Sequence, residues 1–304
     1  MISKVNKHQI FFILFSLAIF FGCVTSKISF FDLIVFGSPI NYENIITSSG
    51  IIFVSIFLVG TFGIAHGAMD GKIIWEHSRS NSSRFKLYGL YSLLVFFGAT
   101  FWLYSPISGL VLLLLLSCIH FGLSDLSFIP SVSLILKICW GFTMTFLPIL
   151  FKPILVNDLF YALTLTNINA EIYEVIRVFT VFTIFILIGY LFFRLSHNKD
   201  NNITFKLTIL ELLLLIVLAY YLEPLLWFTL YFCGLHGLRA ILILNFKLVP
   251  DIFWMILFTA PITLLIFLTD WNYSPSNLLV IFPVLASLTI AHMLLPRMIN
   301  LIKA

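Results

Sequence analysis

"ISGLVLLLLLSCIHFGLSDL", residues 107–126, decides the fold class. From Ile107 to Ile119 it carries no charge, and it is close to the roughly 20 residues that a helix needs to cross the hydrocarbon of a bilayer. It ends in His120 and Asp125, side chains that are costly to place in lipid and that therefore face a protein interior. The stretch reads as a transmembrane helix with a polar station near one end.

Similar runs recur along the 304 residues, at roughly 9–25, 50–68, 87–104, 107–124, 131–150, 172–194, 206–222, 224–243, 252–269 and 277–296. Turn-forming pairs and prolines separate many of them: Ser105-Pro106, Pro130, Glu223-Pro224, Pro250 and Ser274-Pro275. The chain is 61% hydrophobic and 10% charged, with a mean hydropathy of +1.10, where a soluble domain carries about 25% charged residues. The expected fold is all-α: a polytopic transmembrane helical bundle of about 8–10 spans, forming one integral membrane domain over residues 1–304. The segment 26–48 is the ambiguous one, a candidate interfacial stretch. A β-barrel is excluded, since its strands would alternate polar and apolar residues. No basic patch interleaved with exposed aromatics suggests nucleic-acid binding. Cys23, Cys118, Cys139 and Cys233 form no C-x-x-C pair.

Basic residues set the expected orientation. Lys4, Lys7, Lys72, Arg79, Arg84, Lys86, Arg194, Lys199, Lys206, Lys247, Arg297 and Lys303 fall on one side of a ten-span topology; Lys27 and Lys152 fall on the other. This predicts both termini in the cytoplasm and a place in the cell inner (cytoplasmic) membrane.

On that topology His66, His120, His236 and His292 all lie on even-numbered spans, in their cytoplasmic halves. Imidazoles from separate helices at one depth are what a metal site inside a bundle requires, and neutral imidazole suits Fe, Cu, Zn and Ni. A single membrane histidine can equally well hydrogen-bond a neighbouring helix. Asp70, four residues after His66, and Asp125, five after His120, are candidates to orient the imidazoles from behind. Gly67, Gly122 and Gly237 each follow a histidine closely and allow close approach of another backbone or a ligand. His8, at the terminus, and His77 and His197, in basic loops, are set apart from this group. Glu211, an acid within the seventh span, is a possible partner of the site; Arg239 is expected to snorkel or to pair with an acid.

"HGAMD", "IHFGLSD", "LYFCGLHGLRA" and "LTIAHMLLP", in this order, resemble the Brp/Blh family of membrane β-carotene 15,15′-dioxygenases, over about residues 60–300. The resemblance implies a non-haem Fe(II) enzyme that cleaves the central double bond of β-carotene with O2 to give two retinals, the chromophore of microbial rhodopsins. It implies catalytic, metal-ligating roles for His66, His120 and His236. The family's fourth ligand follows the third by four residues, and Ala240 stands there in this chain. His292 is the natural substitute. The enzyme would need an apolar tunnel beside the metal, and Trp227, Phe228, Tyr231 and Phe232, just before His236, are the first candidates to line it. Rival readings are a transporter using the His and Asp residues as an ion relay, and an altered oxygenase short of one ligand. A di-iron desaturase would need H-x-x-x-H boxes, which are absent from this sequence.

Overall fold

A computed structural model of the chain describes residues 2–25, 49–63, 65–78, 80–129, 132–197, 202–244, 247–268 and 276–303. Every regular element among them is helical. In order these are α1 (Ile2–Thr25), α2 (Ser49–Leu58), a π-helical segment (Val59–Gly63), α3 (Ala65–Ala68), α4 (Asp70–His77), α5 (Asn81–Tyr104), α6 (Pro106–Asp125), α7 (Leu134–Phe151) and α8 (Pro153–Thr164). They continue with α9 (Ala170–His197), α10 (Asn202–Tyr221), α11 (Pro224–Thr229), a second π-helical segment (Leu230–Gly237), α12 (Leu238–Ile243), α13 (Leu248–Leu268) and α14 (Ser276–Lys303).

Local chemistry explains the boundaries. Pro106, Pro153 and Pro224 each open a helix, where a missing N–H costs nothing. Ser80 and Ser133 cap α5 and α7, their hydroxyls accepting from Ser83 N at 3.2 Å and Leu136 N at 3.4 Å. Leu165, in the left-handed region at φ 54°, ends α8. That helix has no counterpart among the expected spans. With 12 residues it is too short to cross a bilayer, so no membrane-length apolar run marks it.

Among the described residues, nine helical stretches are long and apolar enough to cross a membrane, which makes this a multi-pass helical bundle. The expected second span, 50–68, is not one of them. It runs from α2 straight into the first π segment, and α3 follows after residue 64, with a turn at Met69 before α4. Small residues accompany the π segment. A Cβ on Gly60 would lie 2.8 Å from Ile266, and one on Gly63 would lie 2.5 Å from the Phe232 ring. The chain deforms here to pack closely against α13 and the second π segment. The expected interfacial segment 26–48 lies outside the described residues.

Phe96, Phe185 and Phe253 point outward, as lipid-facing side chains do, while Trp140, Met144 and Leu147 of α7 are fully buried. The tightest seam joins α6 to α7. A Cβ on Gly122 would sit 1.7 Å from the Lys137 carbonyl oxygen, and one on Gly141 would sit 1.7 Å from that of Cys118. The two backbones touch, which ties Asp125 at the end of α6 to Trp140 on α7. Gly122→Ala should therefore cost about 1–3 kcal/mol by overpacking, read as a lower melting temperature in detergent. Gly189→Ala, where the added methyl meets open space, should leave it unchanged or slightly raised.

Candidate active site

Three of the four singled-out histidines come together. The ring of His120, on α6, lies 5.1 Å from that of His236 and 5.2 Å from that of His292, at 68° and 82° between planes. His236 sits near the end of the second π segment and is fully buried; His292 belongs to α14. His66 lies on α3, and its side chain is outside the described residues. The neighbouring Gly67 brings the backbone of α3 to the cluster: a Cβ there would lie 3.5 Å from Cγ of His292. Gly67 thus lies against a site histidine with room for a methyl group, whereas Gly122 has none in the α6–α7 seam.

Each carboxylate is bonded to a histidine far away in sequence. His236 Nδ1 donates to Asp125 Oδ1 at 2.7 Å, and His292 Nδ1 donates to Asp70 Oδ1 at 2.8 Å. The expected pairing of Asp125 with His120 is corrected, and that of Asp70 with His66 falls on a side chain outside the described residues. Five residues along a helix turn the direction by about 140° at 100° per residue, so Asp125 looks away from His120. Asp70 opens α4 after the turn at Met69.

Each carboxylate is held by its other oxygen as well. Asp125 Oδ2 accepts from Tyr231 Oη at 2.7 Å and from Trp140 Nε1 at 3.0 Å. Asp70 Oδ2 accepts from Tyr91 Oη at 3.1 Å. Asp70, Asp125 and Tyr231 are wholly buried. Such ties fix a histidine's ring and its tautomer, with the proton on Nδ1 and the lone pair on Nε2.

Behind Asp125 lies a second polar layer. Arg239 is 1% exposed and does not snorkel. Its Nη1 donates to the Asp125 carbonyl at 3.3 Å, its Nη2 pairs with Glu211, and its guanidinium lies 5.1 Å over the Phe128 ring. Glu211 also accepts from Gln9 Nε2 at 2.9 Å. It reaches the histidine cluster only through Arg239. His8 is buried, with Nε2 donating to the Gly234 carbonyl at 2.9 Å. His77 is exposed; the side chain of His197 lies outside the described residues.

An apolar cavity of about 190 Å³ lies beside the cluster. Phe121, Trp227, Phe228 and Phe232 are among its lining residues. Phe121 and Phe232 also flank the His236 ring, at 4.8 and 5.6 Å. Tyr231, one of the four expected tunnel residues, is not in that lining: it stacks on Trp227 at 5.5 Å and its hydroxyl is on Asp125. A smaller pocket, lined by His292, Tyr91, Gly67 and Phe258 among others, shares Phe232 and Thr289 with the large cavity.

The sequence matches the family described as Beta-carotene 15,15′-dioxygenase over residues 57–300. The chain belongs to that family. The matched region holds all four histidines, both carboxylates and both π segments. A Beta-carotene 15,15′-dioxygenase from an uncultured marine bacterium, 66A03, is 29% identical over 195 residues, covering 61% of this chain and 66% of the relative, so the match spans just under two thirds of the relative's length. No solved structure matches.

Four residues hydrogen-bonded into this site lie outside the sequence motifs, Gln9, Tyr91, Trp140 and the buried His8, and the lining residue Phe121 lies inside one without standing out. Gln9 carried a signal, as a polar residue in an apolar span. The other three carried none, because aromatic residues abound in the chain and His8 borders the first span. The Arg239–Glu211 pair makes a direct prediction. Arg239→Met alone strands a buried carboxylate and should cost about 3–5 kcal/mol in a thermal melt; Glu211→Leu combined with Arg239→Leu should recover a large part of that loss.

Proposed function

We propose that this member of the family is an Fe(II)-dependent dioxygenase that cleaves the 15,15′ double bond of β-carotene with O2 to give two molecules of retinal. The observation that carries the proposal is the cluster of imidazoles, two of them braced by carboxylates, next to an apolar cavity whose lining residues Phe121 and Phe232 contact the His236 ring. Among the described residues, no three His, Cys, Asp or Glu side chains stand as a complete metal site by themselves. The donor chemistry nevertheless fits an ion completed by His66. An ion about 2.1 Å from each ligating nitrogen would set neighbouring ring centres about 5 Å apart, and the observed separations are 5.1 and 5.2 Å. With only nitrogen donors in view, the site suits iron with coordination positions left for O2.

His66, His120 and His236 would hold the iron. Iron supplies the redox activation of O2 that neither a hydrocarbon nor amino-acid side chains provide. The chain's own residues do the rest. The cavity takes up one arm of the polyene by burying it, and it keeps water away from the cut. Phe121 and Phe232 both pack on the His236 ring and present an aromatic wall on which a conjugated chain can lie. Asp125 keeps the His236 proton on Nδ1 throughout. No side chain needs to give up a proton, since O2 and one C=C bond become two aldehydes with nothing left over. Positioning one double bond beside the metal is therefore the main task of the protein.

The lipid-facing phenylalanines suit a substrate that partitions into the bilayer, and we place the enzyme in the cytoplasmic membrane, passing retinal to a microbial rhodopsin. Expressed in bacteria that accumulate β-carotene, the chain should bleach the orange colour and yield retinal on chromatography. His120→Ala and His236→Ala should each stop both changes, and iron chelation should do the same. Colour that persists with expression and iron supply confirmed would overturn the proposal.

A further inference from the structure

The two braced histidines are built alike. In each case one carboxylate oxygen takes the imidazole Nδ1–H and the other takes a tyrosine hydroxyl, Tyr231–Asp125–His236 on one side and Tyr91–Asp70–His292 on the other, and on Asp125 the second oxygen also takes the longer bond from Trp140 Nε1. The likeness does not come from a repeated motif. In the first arm Tyr231 and His236 lie five residues apart on one element. In the second, Tyr91 is on α5, Asp70 opens α4 and His292 is on α14. Three unrelated helices have been brought to the same arrangement, and the two arms flank His120 at nearly equal ring separations of 5.1 and 5.2 Å.

A carboxylate bonded through one oxygen alone can still turn about its Cβ–Cγ bond. A second bond on the other oxygen stops that rotation and so sets the plane of the imidazole it holds. Carboxylates that back metal-binding histidines are themselves hydrogen-bonded for this reason, and removing such a support typically weakens metal affinity 10–100-fold. Tyr91 and Tyr231 are buried, so neither hydroxyl is lent to bulk water.

We infer that Tyr91 and Tyr231 are paired positioning residues, each locking an aspartate that aims a histidine, and that His292 is thereby a metal ligand of the same standing as His236. The inference rests on the iron reading above. It gives this chain, which has Ala240 one turn after His236, an additional imidazole from α14.

The test is an anaerobic Fe(II) titration of the full chain, purified in detergent and stripped of metal. Tyr91→Phe and Tyr231→Phe keep the ring and lose only the hydroxyl. Each is expected to weaken Fe(II) binding about 10-fold or more. Tyr173→Phe is the control: its hydroxyl bonds Asn157 at 3.2 Å, outside both arms, and its loss should leave affinity unchanged. The melting temperature of the metal-free protein is read alongside, and the two site variants should shift it no more than the control does. An affinity equal to wild type in either site variant would overturn the inference. So would a loss no larger than that of Tyr173→Phe. If a tyrosine variant fails to fold, Asp70→Asn and Asp125→Asn are titrated instead, with the same expectation and the same overturning result. Carotenoid cleavage is scored separately: a chain that cleaves while both tyrosine variants bind iron normally refutes this inference alone, and a wild-type chain without Fe(II) affinity refutes both.

Discussion

The carboxylate of Asp125 is the point on which the interior depends. A buried carboxylate is costly unless it is paired and hydrogen-bonded, and this one is bonded from three side chains: His236, Tyr231 and Trp140. Those bonds join α6, α7 and the second π segment at one spot. Arg239 adds α12 by bonding the Asp125 carbonyl, one of the carbonyls at a helix end that no turn of the helix can satisfy. Through Arg239 the network runs on to Glu211 on α10 and Gln9 on α1. The arrangement requires glycine at 122 and 141, because only touching backbones bring Trp140 and Asp125 within bonding distance.

The two π segments serve the same end. They lie side by side, with Gly63 of the first against the Phe232 ring of the second, and with Gly237 close to the carbonyls of Phe62 and Gly63. Such local widening of a helix recurs at functional sites. Here one segment carries His236 and the other leads into α3, where His66 lies and where Gly67 meets the His292 ring. The wider turn of the second segment is accompanied by a carbonyl, that of Gly234, bonded by a histidine from another helix, His8. The polar interior therefore extends from the histidine cluster to the first helix, although the sequence there looks like an ordinary membrane anchor.

Much of the bundle was legible because its cause is local. Apolar runs of membrane length, proline at helix starts and serine caps act over a few residues, and α5, α6 and α9 appear close to where those signals put them. The candidate site was legible in its parts and not in its pairings. His120, His236 and His292 are polar residues in greasy helices and draw attention singly. Their partners do not, because the partner of His292 is 222 residues away and Tyr91 looks like any other aromatic in a chain with 34 Phe and 11 Tyr. Reading Asp125 with its nearest histidine, His120, failed for the same reason: a change of face along the helix breaks sequence proximity.

What the sequence determined by itself is a helical membrane protein of one family, with histidines and acids where lipid would not tolerate them unpaired. Composition and span length decide that, since water and hydrocarbon sort residues irrespective of their distant neighbours. Only the tertiary structure decided which acid holds which histidine, that Tyr91 and Tyr231 complete two like arms, and that the stretch around Gly60 and Gly63 deforms instead of continuing as one straight span. Those outcomes depend on directional bonds and on backbone contacts between helices far apart in the chain. A linear pattern carries no record of either.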